Sequence, residues 1–138
     1  FTISGNAELE LLDQLTLLAQ ARGRRYSPDP KPEAGHFYRS DHFPMAKRGV
    51  PAISFDGGND LVEGGTARGD SLADDYVRDR YHQPADEWGS DWTLTGMVAD
   101  LNLLYTLGRD LANGRTWPNW KPGSEFRAAR DKSAADRR

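Results

Sequence analysis

Near the start of the chain, apolar side chains recur at Leu11, Leu12, Leu15, Leu18 and Ala19, the three-and-four spacing of one helix face. The pattern predicts a helix from Ala7 to Arg22, with Gly23 as its stop because glycine enters the left-handed conformation that closes helices. Ahead of it, Phe1-Thr2-Ile3 is a short apolar, β-branched run that reads as a strand, and Ser4-Gly5-Asn6 as the turn and cap leading into the helix. Arg24 to Ser27 has room for a second short strand before Pro28 and Pro30, which cannot donate to a ladder. Next comes a short helix, capped by Ser40, running to Lys47 or Arg48 and stopped by Gly49. The nearly continuous apolar run Val50-Pro51-Ala52-Ile53-Ser54-Phe55 then reads as a strand covered on both faces.

Residues 56 to 80 are rich in glycine and charge and show no sustained period, so they read as a long loop. A last long helix is predicted from Thr93 to Ala112. Its apolar face would be Leu94, Met97, Val98, Leu101, Leu104, Tyr105, Gly108 and Leu111, with Asn113-Gly114 as its stop. Alternation of strands and helices favours an α/β fold, a three-layer α/β/α arrangement with a mostly parallel sheet. In such sheets ligands gather at the carboxyl ends of the strands, so segments around residues 41 and 82 can meet despite their separation. The body is expected to span residues 1–114, and residues 115–138 form an aromatic, basic tail that packs on it.

Composition adds limits. The chain of 138 residues suits one domain, and an apolar fraction of 37% leaves much polar loop around its core. With no cysteine, metal ligation would have to come from imidazole and carboxylate. No apolar run reaches the length of a membrane span, and a membrane role is not expected. Residues 115–138 carry a net charge of +4, leaving −7 on residues 1–114 against a total of −3. Acids at Asp131 and Asp136 interrupt the basic tail, so it lacks the dense stripe of a nucleic-acid footprint and no nucleic-acid partner is expected.

The candidate chemistry lies in two short segments. His82 follows the polar stretch, and neutral imidazole is the commonest metal ligand. Asp86, four residues on, could reach the ring nitrogen opposite a metal if the segment turns helically, or could equally cap a helix. Tyr81 could set a phenol over a reacting carbonyl, or be an ordinary packed aromatic. Ser40, Asp41 and His42 are the residue types of a hydrolase triad, but adjacent side chains on one segment cannot form that relay. The chain has no Gly-x-Ser-x-Gly, His-Glu-x-x-His, phosphate-binding loop or dinucleotide glycine fingerprint. Gly57-Gly58 and Gly64-Gly65 are turn residues, and His36 reads as structural or exposed.

The run from Gly35 to Ala52, with Arg39-Ser40-Asp41-His42-Phe43-Pro44 and Gly49-Val50-Pro51, resembles the RSDHxPF…GVP segment of co-catalytic di-zinc aminopeptidases. That group includes glutamate carboxypeptidase-like and bacterial leucyl aminopeptidase-like enzymes. Tyr81-His82-Gln83-Pro84-Ala85-Asp86 resembles the family's YHxxxD segment, and Trp117 to Arg130 is similar to the WPxWxPGSEFRAxR ending of some bacterial members. Met45 stands where a second Phe is commoner.

The resemblance implies an exopeptidase in which two zinc ions share a bridging aspartate and water, acting on peptide substrates outside the cytoplasm, in a secreted or periplasmic setting. By the same resemblance His82 is the last histidine ligand, Tyr81 polarises the scissile carbonyl, and Asp41 and His42 form a substrate-side wall. Asp86 would stand behind His82. The family's first histidine, bridging aspartate, Glu-Glu pair and second aspartate normally precede a helix like that at Ala7 to Arg22, where this chain has only Phe1 to Asn6. The expectation is therefore the carboxyl-terminal portion of a zinc-exopeptidase fold, inactive alone, whose partner is the missing amino-terminal portion. The alternatives are a catalytically dead interaction or scaffold domain of that fold and a glutaminyl-cyclase-like acyltransferase, whose ending differs from Trp117 to Arg130.

Overall fold

The computed structural model describes residues 1–5 and 8–137. Strand β1 (Thr2–Ile3) pairs antiparallel with β2 (Phe55–Asp56), Thr2 opposite Asp56 and Ile3 opposite Phe55, and Ser4 N–H extends the pairing to the Ser54 carbonyl at 3.0 Å. On the other side of β1, the Phe1 nitrogen donates to the Arg25 carbonyl at 2.8 Å and Ser27 N–H donates to the Phe1 carbonyl at 2.9 Å. One residue bonding to two that are two apart is the parallel pairing pattern, so residues 25–27 lie beside β1 without forming the predicted strand.

Helices and strands share one α/β body, as expected. The sheet differs from expectation: among the described residues its one ladder is two-stranded and antiparallel, not mostly parallel. Proline is the local reason. Pro51 cannot donate within the run 50–55, and Pro28 ends the segment after Tyr26, so only the ends of both runs reach β1.

Helix α1 (Glu10–Gln20) buries Leu11, Leu12, Leu15 and Ala19. The expected start at Ala7 and cap at Asn6 lie outside the described residues, but Glu8 and Leu9 are not helical, and Leu9 is the extended cap residue before Glu10. Its amino end is served by the tail: Glu10 N–H donates to the Asn119 carbonyl at 2.9 Å, and Asn119 N–H donates to Glu10 Oε2 at 2.9 Å. Its carboxyl end closes on Gly23 at φ +71°, where Gly23 N–H reaches the Gln20 carbonyl and Arg24 N–H the Ala19 carbonyl.

The loop between proline and Gly49 holds two short helices, α2 (His36–Arg39) and α3 (Phe43–Lys47). Ser40 does not cap α3; its hydroxyl donates back to the His36 carbonyl at 2.6 Å, and His42 stands at the cap position with no side-chain bond. The expected loop at 56–80 holds only as far as Gly64, for α4 spans Gly65–Asp79. Leu72, Ala73 and Tyr76 follow helical spacing there, a signal masked by glycine, which lowers helix propensity by about 1 kcal/mol per residue. Gly69 is the residue α4 buries, and an added methyl there would run into the Asn59 backbone.

Helix α5 (Thr95–Asn113) packs on α1, with Leu103 and Leu107 buried and Leu104 and Leu111 partly so. The predicted face is thus corrected: Leu94, Met97, Val98, Leu101 and Tyr105 are exposed. Asp100 turns inward to an ion pair with Arg24, which fixes that orientation. Beyond α5, Trp120 is 1% exposed and joins Ile3, Leu9, Leu15 and Leu103 at the centre of the core. Its indole N–H donates to the Gly49 carbonyl at 3.1 Å. A final helix, α6 (Arg127–Lys132), sets Arg130 against Gly49, and Arg130 Nη2 donates to the Pro118 carbonyl at 2.7 Å.

Candidate functional site

The predicted site residues fall into two groups. The first sits where α4 ends. Arg80 N–H and Tyr81 N–H both donate to the Tyr76 carbonyl at 2.9 Å, turning the chain off the helix at its last carbonyls. Gln83 N–H then donates to the Arg80 carbonyl at 2.9 Å, and His82 lies at the bend with φ +59°. It is the one non-glycine residue with positive φ among the described residues. Tyr81, 51% exposed, sets its ring 4.0 Å from the His82 imidazole, centroid to centroid, and 6.0 Å from the Tyr76 ring.

Asp86 belongs to this group through a partner the sequence did not single out. The Tyr76 hydroxyl donates to its carboxylate, 2.9 Å from Oδ1 and 3.0 Å from Oδ2. That bond, with a smaller contribution from burial, raises the Tyr76 phenol above its ordinary value near 10. Reading residues 56–80 as a loop hid Tyr76, whose place on α4 five residues before Tyr81 is what brings it to Asp86.

The second group surrounds His42. Its ring lies edge-on to Phe37 with centroids 4.6 Å apart, and Phe37 in turn meets Phe43 and Phe126. Nε2 is buried and has no hydrogen-bond partner among the described residues. Burial pulls the imidazole below its ordinary 6.5, opposed by the charge of exposed Asp41. No hydrogen bond or aromatic contact links this group with Tyr81 and His82 among the described residues.

A cleft of about 390 Å³ between β1 and α4 is lined by Thr2, Asp29, Asp56, Asp60 and Asp70, and contains neither Tyr81 nor His82. Its acids are already engaged: Asp29 accepts from Gly5 N–H, Asp56 from Gly58 N–H, Asp60 from Arg25 and Asp70 from Asn59. Zinc needs at least three ligands from His, Cys, Asp or Glu. Among the described residues no group of three such side chains is placed to hold a metal.

Searches of curated proteins and of solved structures found no match. The family model for peptidase family M28 matches residues 1–106, from β1 through both candidate groups and into α5. This chain therefore belongs to peptidase family M28, whose members are in general zinc-dependent.

Proposed function

We propose that the chain supplies one side of the active site of a two-zinc aminopeptidase that removes amino-terminal residues from peptides. In this reading His82 is one zinc ligand, Tyr81 directs its phenol at the scissile carbonyl, and Asp41 and His42 wall the substrate cleft, while Asp86, expected behind His82, bonds Tyr76 instead. The remaining ligands and the general base come from polypeptide outside these 138 residues, and the chain alone is inactive. The observation that carries the reading is the turn after α4, where a matched stretch of a zinc peptidase family presents Tyr81 and His82 side by side, their rings tilted by 56°, and open to solvent. Support also comes from α5. Met97, Val98, Leu101 and Tyr105, with Leu94 just before the helix, form an exposed apolar stripe, and exposed apolar patches commonly mark interaction surfaces.

Two assays test the proposal. Titration of residues 1–138 with zinc in a calorimeter, alongside incubation with aminoacyl p-nitroanilides, is expected to give neither tight two-zinc binding nor hydrolysis. In the full parent enzyme, His82→Ala is expected to remove one zinc and lower activity by about 100-fold or more, since even groups behind a ligand contribute 10- to 100-fold. Two tightly held zinc ions in the isolated chain, or full activity of the parent variant, overturns the reading.

A further inference from the structure

We propose that Tyr76 is a positioning residue: its hydroxyl and the Asp86 carboxylate form a clasp that holds His82 in its left-handed conformation and so aims both Tyr81 and His82. The inference rests on the reading of those two residues as site residues, although the clasp itself is independent of metal.

A residue with a Cβ rarely adopts positive φ and keeps it only where its surroundings over-determine it. The bonds around His82 do so by returning to the last turns of α4. Tyr76 gives its carbonyl to Arg80 N–H and Tyr81 N–H, Gln83 N–H donates to the Arg80 carbonyl at 2.9 Å across His82, and the Gln83 side-chain amide donates to the Arg78 carbonyl at 2.8 Å. These bonds hold the bend as far as Gln83. The far side is tied to the helix through Asp86, whose two oxygens share the Tyr76 hydroxyl proton. Tyr76 thus engages the bend three times, by its carbonyl, its hydroxyl and its ring beside Tyr81. Without the hydroxyl, residues 84–86 lose their one side-chain tie to α4 among the described residues. His82 is then held by the bonds of Tyr81 and Gln83 alone, and its population at positive φ falls.

The test uses the whole chain and nuclear magnetic resonance, with Tyr76→Phe, Asp86→Ala and the double variant. Tyr76→Phe keeps the ring and removes only the donor. Each single variant is expected to shift the His82 amide-to-Hα coupling and ring signals in the same sense and to speed exchange of the Asp86 amide by about tenfold. The double variant should add nothing further, because either change opens the same bond. In Asp86→Ala, the Tyr76 phenol should titrate at lower pH than in the parent chain. Core signals from Leu15 and Trp120 should stay in place. Unmoved His82 signals in both single variants, additive effects in the double variant, or changes spread through the core would each overturn the clasp. Failure of the ligand assignment shows separately, as a His82→Ala parent enzyme that retains both zinc ions while the Tyr76→Phe chain still shows the His82 shift.

Discussion

At His42 the ring faces Phe37 with Nε2 shut away from water and unpartnered among the described residues, an environment that favours the neutral imidazole. A group whose folded pKa is lowered binds protons better when unfolded, so its contribution to stability is present above its unfolded value and lost as pH falls below it. The window opens at the ordinary 6.5 and extends downward. Melting temperature is accordingly expected to fall between pH 7.5 and 5.5 by more in the natural chain than in His42→Gln. Equal falls in the two proteins would show that His42 does not titrate against folding. His42 and His82 were both conspicuous in sequence because each sits in a distinctive short segment. Their environments were not, since burial and backbone φ depend on residues brought from elsewhere, Phe37 in one case and Tyr76 in the other.

Among the elements, α5 best separates what spacing can tell from what it cannot. Apolar residues at helical intervals located it almost to its ends, but they occur on more than one face, and the face chosen from sequence was largely the exposed one. Charge normally marks the outside of a helix. Here Asp100 points inward to Arg24, so the marker misleads at that position. The two faces should answer differently to truncation. Leu103→Ala, at a fully buried position, is expected to cost about 2–5 kcal/mol, whereas Leu101→Ala on the outer face should stay within about 0.5 kcal/mol. Urea unfolding of the two variants measures both, and equal losses would mean the outer face is covered in solution. Helix α4 failed to show in the sequence for the opposite reason: its amphipathic stripe is short, and its one buried residue, Gly69, has no side chain to advertise it. The sheet was legible as strand positions only, because pairing direction follows from which segments meet, not from the pattern within any one of them.

Across the whole molecule, the tail is structural. Trp120 fills the middle of the core, Asn119 serves the first turn of α1, and Lys121 reaches Asp13 at 2.7 Å. Trp120→Ala is expected to cost about 3–5 kcal/mol, a large part of the 5–15 kcal/mol that holds a typical domain folded. A chain ending at residue 114 should therefore lose its cooperative melting transition, and a sharp, unshifted melt would contradict that role. The family match ends at residue 106, part-way along α5, yet the indole that closes the interior arrives fourteen residues later to meet the Gly49 carbonyl. The stretch shared with the family thus stops short of residues that complete this interior. A graft or a split placed at the edge of the shared stretch would divide α5 and leave the interior without its indole.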